Sequence, residues 1–228
     1  MMQKDMADKK LHSCPELMDY IGEVGFLPLL NMGITQWSAD AVLDEECQYT
    51  VLPDGGWEWR LWEWKGDIIR ESGCAYGKFF DQKATFITSE WWSDFCNYRR
   101  SIHPRPEEGS IEATILDILT MNGSMITRDL RKACGFTGPK MRSKFDNYVS
   151  RLQMGGWIVT EDFVYPHDRH GHKYGWGWSL LTTPESLFGC DACHPDRTPE
   201  ESHQRLTAHF HKILPHLTDN EIERLISK

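Results

Sequence analysis

The chain has 228 residues, 40% of them apolar and 26% charged, with 10 Trp and a formal net charge of −9. That balance excludes a disordered or fibrous chain and fits a soluble globular protein that buries a tryptophan-rich core. No apolar run approaches the roughly 18 residues that a membrane span needs, and the first residues lack the apolar segment of a secretory signal.

The seven Cys stand at 14, 47, 74, 96, 134, 190 and 193. Their odd number and scatter predict reduced thiols in a cytoplasmic protein with no membrane partner. The charge is uneven. Residues 1–108 carry 11 basic and 19 acidic side chains, net −8; residues 109–183 carry 9 and 7, net +2; residues 184–228 carry 5 and 8, net −3. The middle segment alone offers a polyanion a favourable surface, and a modest one.

Residues 1–10 are polar and predicted to fray. Pro15 opens a helical run with Leu17, Tyr20, Ile21 and Val24 on one face, and Ser38 starts a second. Asp54-Gly55-Gly56 reads as a turn. The alternation of Trp57, Trp59, Trp62 and Trp64 with charged residues reads as a strand whose phase changes at Leu61, through a bulge or a helical turn. Residues 74–88 form a hairpin turning near Asp81-Gln82, and Ser89 caps a helix carrying Trp92, Phe95, Cys96 and Arg99.

The stretch HPRPEEG, residues 103–109, is the clearest linker. Beyond it a helix with Ile111, Ile115, Ile118 and Leu119 on one face ends at Asn122-Gly123. A short helix capped by Thr127 follows, then a third helix opened by Pro139, then two strands joined by the polar loop YPHDRHGHK. Helix, helix, turn, helix and hairpin in that order predict a winged helix. Residues 184–198 read as a loop, and the tail as one or two amphipathic helices broken at Pro215.

On the third helix, Met141, Phe145, Tyr148 and Leu152 form one stripe and are expected to face the core. Lys140, Lys144 and Arg151 flank it, while Ser143, Asp146, Asn147 and Ser150 form the opposite face. Small polar groups let a helix approach a groove, and flanking cations reach phosphates. The candidate DNA contacts are therefore Arg128, Arg131, Lys140, Arg142, Lys144, Asn147 and Arg151. Tyr76, Lys78, Lys83, Arg99 and Arg100 form a second mixed aromatic and basic set upstream. Against this stands a protein-interaction or regulatory winged helix without DNA, its basic flanks merely solvated and its acidic surface meeting a basic partner.

Cys190-Asp-Ala-Cys193-His194 has the spacing of a haem attachment site, which requires export, so no cofactor is expected there. Zinc is the alternative: Cys190 and Cys193 with His167, His170, His172 or His203 make a conceivable Cys₂His₂ set, against two free thiols in a loop. The four Trp between 57 and 64 are read mainly as core, with base stacking as the rival. No phosphate-binding loop, dinucleotide fingerprint or nucleophile elbow is present.

The block ITRDLRKACGFTGPKMRSKFDNYVSRLQMGGWIV with GWGWSLLT resembles the winged-helix segment of AlkZ/YcaQ-type proteins, particularly their shorter AlkZ-related relatives. GFLPLL, WEWKGDI, AYGKFF, ATFITSEW and FCNYRR are similar to the same group, so the resemblance runs from about residue 20 to 225. It implies an α+β fold of tandem winged-helix-like architecture around a positively charged channel, and DNA glycosylase ancestry. The expected division is an N-terminal α+β domain, 1–108, open to being read as a degenerate winged helix; a clear C-terminal winged helix, 109–183; and a loop and helical tail, 184–228. The family's Gln-x-Gln or Gln-x-Asp motif aligns with Gly25-Phe-Leu-Pro28-Leu-Leu30, where Pro28 and Leu30 replace the polar pair. Neither can orient a water, so DNA binding is expected without intact glycosylase chemistry; a working hydrolase with a relocated acid, such as Glu58, Glu63 or Asp67 near the Trp cluster, is the further alternative, and no catalytic residue is assigned.

Overall fold

A computed structural model describes residues 9–52, 55–138, 140–171, 173 and 175–228. Asp54 of the expected turn, the helix-opening Pro139, His172 and most of the stretch 1–10 lie outside the described residues. Ser13 caps α1 (Cys14–Val24), its hydroxyl accepting from the Glu16 N–H. Gly25 closes the helix at φ +75°, where a Cβ would stand 2.5 Å from the Trp91 ring, so backbone and packing both demand glycine. Next come β1 (Phe26–Pro28), α2 (Ala39–Val42), capped by Ser38, and the hairpin β2 (Tyr49–Val51) and β3 (Trp57–Trp59). The change of phase at Leu61 is the start of a helix, α3 (Arg60–Ser72).

Strands β4 (Ala75–Phe80) and β5 (Lys83–Ile87) turn through Asp81 and Gln82, both at positive φ, which matches the right-handed twist of the strands they join. Helix α4 (Ser89–Ile102) takes Thr88 as N-cap, one residue before the expected Ser89. The second half runs α5 (Ile111–Asn122), β6 (Met125–Ile126), α6 (Thr127–Ala133), α7 (Arg142–Met154), β7 (Val159–Val164) and β8 (Trp178–Thr182). Ile126, not Thr127, is the N-cap of α6; the Thr127 hydroxyl donates to the Ser179 carbonyl instead. The stretch expected to be a loop after residue 183 folds as α8 (Pro184–Phe188) and a 3₁₀ turn, Cys190–Cys193, ahead of α9 (Pro199–Ile213) and α10 (Asp219–Ser227).

The protein is thus mixed α/β with small antiparallel sheets. Its two halves share one order. In the second, helix, strand, helix, helix and two strands form a sheet β6-β8-β7, in which the first strand pairs with the last. In the first, α1, β1, α2, α3, β4 and β5 do the same with sheet order β1-β5-β4, and the β2–β3 hairpin is inserted between the second and third helices.

Two hydrophobic clusters follow this division. One gathers α1, β1, β4, β5 and α4, and draws in Leu206, Phe210 and Ile213 of α9 with Ile222 and Ile226 of α10. The other joins Ile115, Leu119, Leu130, Phe145, Leu152, Ile158 and Leu181. On α7 the buried stripe is Phe145, Val149 and Leu152. Met141 is 41% exposed because the helix begins after it, and Tyr148 is half-buried.

The halves pack reciprocally: α7 lies on β4, and α3 lies on β7. Gly77 of β4 allows the first approach, since a Cβ there would come within 3.1 Å of Gln153 Nε2. Gln153 Oε1 accepts from the Lys78 N–H at 3.2 Å, and Arg70 of α3 pairs with Asp162 of β7 at 2.5 Å. Consequently Ser150, expected on the open face of the third helix, is buried: Lys78 Nζ donates to its hydroxyl at 3.2 Å. Among the described residues no helix is long and apolar enough to cross a membrane.

Candidate nucleic-acid interface

Where the β4–β5 sheet meets the outer face of α6 and α7 the surface is concave. The cleft has a volume of about 540 Å³ and takes its walls from both halves. Lys78 and Lys83 come from the β4–β5 hairpin, Arg128 and Arg131 from α6, and Arg142 from the first turn of α7. Asp146 is the one carboxylate among the described lining residues, so five cations face one anion in a chain whose net charge is −9. Low-dielectric walls concentrate such a field.

The cations are held with unequal firmness. Arg128 pairs with Asp129 at 3.1 Å and lies with Cζ 4.6 Å from the centre of the Trp178 ring, which fixes its guanidinium on the wall. Arg142 is 3.8 Å from Asp146 one helical turn on, a loose exposed pair that contributes little to stability. Arg131 and Lys83 have no acidic partner among the described residues and are available to an incoming anion.

The contacts expected from the sequence separate into three groups. Arg128, Arg131, Arg142 and Lys78 line the cleft. Lys140, Lys144 and Asn147 are exposed beside it; among the described residues no ion pair holds either lysine. Arg151 points the other way and pairs with Glu112 of α5.

Arg99 and Arg100 are corrections. Arg99 is fully buried and donates to three backbone carbonyls, those of Met154 at 2.8 Å, Ile226 at 2.9 Å and Phe79 at 2.6 Å. Arg100 is 10% exposed, pairs with Glu185 at 2.6 Å, donates to the Gly156 carbonyl and stacks on Trp157. A guanidinium spent on buried acceptors cannot reach a phosphate. On sequence alone both looked like the cationic end of a helix, because their acceptors lie far along the chain.

The segment GFLPLL, where the resemblance places a polar catalytic pair, reaches the same cleft. Leu29 and Leu30 line it, Pro28 is buried on β1, and Leu30 is 43% exposed. That wall is apolar. Behind it, Trp62 and Phe163 cover a cation the sequence did not reveal. Lys65 is fully buried, its Nζ donating to the Trp62 carbonyl at 2.8 Å and the Tyr165 hydroxyl at 3.1 Å. The amine lies 3.4 Å from the Trp62 ring centre and 4.2 Å from that of Phe163. Burial pulls its pKa down to about 7, offset only in part by the Glu63 carboxylate.

The zinc ligands expected from the sequence are not brought together. Cys193 is buried with its Sγ 3.6 Å from that of Cys96, whereas Cys190 is exposed. His167 sits in the β7–β8 loop, bridged to Lys173, and His203 pairs with Glu223 at 2.8 Å. Among the described residues no group of three or more His, Cys, Asp or Glu is arranged to hold a metal; His172 lies outside them.

Compared with known protein families, residues 11–227 match the family described as AlkZ related. No curated protein and no solved structure matches the chain.

Proposed function

Since the chain belongs to the AlkZ-related family, we propose that it binds DNA through two winged-helix units, with the phosphate backbone lying in the cleft between them. The shared element order and the sheet orders β1-β5-β4 and β6-β8-β7 support the winged-helix reading of both halves, with β4–β5 and β7–β8 as the wings. The carrying observation is the convergence of Lys78, Lys83, Arg128, Arg131 and Arg142 on one concave surface, with Asp146 the one carboxylate among its described lining residues and Asp129 paired to Arg128. Phosphate contacts of this kind supply affinity and register, not sequence preference.

Glycosylase chemistry is not part of the proposal. Bond cleavage at a nucleoside needs a polar group beside the scissile bond, and Pro28 and Leu30 supply none at the positions where the family carries its polar pair. The N-terminal half of α7 is open and its C-terminal half is covered by β4, so the helix meets DNA by its first two turns.

The test is an electrophoretic shift titration with duplex DNA at several salt concentrations, comparing the natural chain with Lys83→Ala/Arg131→Ala. Each lost phosphate contact is expected to lower the salt slope by about 0.9, so the double variant should bind more weakly and lose nearly 2 from its slope. Equal slopes would remove the cleft from consideration. A chain that retains no DNA even at low salt would favour the protein-interaction reading. Incubation with alkylated DNA is expected to release no base.

A further inference from the structure

One end of the cleft carries a surface that the phosphate-binding reading does not use. The β2–β3 hairpin places Tyr49, Val51, Trp57 and Trp59 on one face, because residues two apart on a strand point the same way and these four pair across it. Trp57 is 66% exposed, Val51 79% and Tyr49 47%, and the Tyr49 and Trp57 rings meet edge-to-face at 5.1 Å. Trp59 stacks on Trp62 at 6.1 Å. Trp62, a cleft-lining residue, meets Trp176 of the β7–β8 wing at 5.1 Å and donates from its indole N–H to the Trp176 carbonyl. Trp176 is itself 70% exposed. A row of rings therefore runs out from the cationic cleft across elements of both halves.

Exposed Trp of this kind is unusual on a protein surface and marks an interaction site. We propose that this row is a stacking platform for the unpaired bases of single-stranded DNA that continues out of the cleft. The inference rests on the DNA-binding reading of the cleft. Two observations select this occupant. The patch is continuous with the cationic wall through Trp62, so one polyanion engages both. The wing beside Trp176 also carries Lys173 and Arg169, which suit a phosphate backbone passing the rings. Every base has a π-face, so flat rings hold a strand without reading its sequence, whereas paired bases in a duplex are closed to them. Glu58 lies on the opposite face of the β3 strand and does not oppose the strand's path.

The experiment measures binding of the full chain, by fluorescence anisotropy, to a blunt duplex and to the same duplex with a single-stranded overhang. Trp57→Ala and Trp176→Ala are compared with the natural chain. Both side chains are mostly exposed, and the bond from Trp62 goes to the backbone of residue 176, so both variants keep the fold. The overhang substrate should bind at least about tenfold more tightly than the blunt one, and each variant should erase most of that preference with blunt binding unchanged. Equal affinity for the two substrates, with blunt binding intact, overturns the platform and leaves the cleft standing. So does an equal loss on both substrates. Failure of both DNAs to bind overturns cleft and platform together. Self-association of the natural chain that both variants abolish, without overhang preference, assigns the patch to a second copy and also overturns it.

Discussion

The third helix of each half occupies the same place in its unit, yet α3 and α7 differ in what happens to their cations. On α3, Lys65 is enclosed by Trp62, Phe163 and Tyr165, and Arg70 is tied to Asp67 and Asp162. On α7, Arg142 and Lys144 are exposed, and only a loose pair to Asp146 restrains Arg142. The difference lies in the cover. Strand β7 and the loop that follows it lie over α3, while β4 covers only the later turns of α7. Place in the fold therefore does not decide whether a helix leaves its cations open to solvent; the cover laid over it by the other half does. On α3 the exposed charged side chains are Glu63, Glu71 and the paired Arg70, whereas on α7 the cations Arg142, Lys144 and Arg151 are exposed.

The largest expected effect comes from the group that joins the halves. Arg99 bonds β4, the end of α7 and α10 through three carbonyls. Arg99→Met would leave those acceptors unsatisfied in a buried place, at a cost of about 3–5 kcal/mol summed over the three. Urea denaturation read by tryptophan fluorescence checks this, and a loss under about 1 kcal/mol would show that the halves are held together by other contacts.

Lys65 comes next. Its folded pKa of about 7 lies below the ordinary 10.5. Below pH 7 the amine is charged in both folded and unfolded chains, and the full desolvation cost is felt. Between about 7 and 10.5 the unfolded chain binds the extra proton, so stability rises with pH across that window. Lys65→Met removes the charge, and the Tyr165 hydroxyl, 3.4 Å from the Trp62 carbonyl, stays in reach of that acceptor. The variant should be more stable by roughly 1–3 kcal/mol at pH 6, with a flatter stability profile between 7 and 10.5. Thermal melts across pH test both statements, and an unaltered profile would mean that the aromatic box already compensates the charge.

The smallest effect sharpens the contrast from the α7 side. Lys140 and Lys144 flank the cleft without lining it. Alanine at both should weaken duplex binding about two- to fivefold and lower the salt slope by less than the Lys83/Arg131 pair does. A larger loss than that pair would move the DNA path from the cleft to the outer edge of α7.

Much of the local structure was legible because it is written in neighbouring residues. Ser38 starts its helix, Asn122-Gly123 ends another, and Asp81-Gln82 turns the hairpin. The cations of the wall, Lys78, Lys83, Arg128, Arg131 and Arg142, were legible, though as two separate sets rather than one surface. Long-range burial was not. Nothing near Arg99 signals that its acceptors are 20, 55 and 127 residues away. Ser150 has the spacing of an open-face residue, yet β4 lies against it. The common order of the two halves was obscured because the β2–β3 hairpin interrupts the first, and its tryptophans left a bulge and a helical turn both open at Leu61, where a helix begins.

The three acceptors of Arg99 also set an order of events during synthesis. The carbonyl of Phe79 precedes it, but those of Met154 and Ile226 follow, the last 127 residues on. A nascent chain still within the ribosome therefore holds an unsatisfied guanidinium at the centre of its first half. That half cannot reach its final packing until residues 154 and 226 have been supplied, so its folding waits on segments far along the chain.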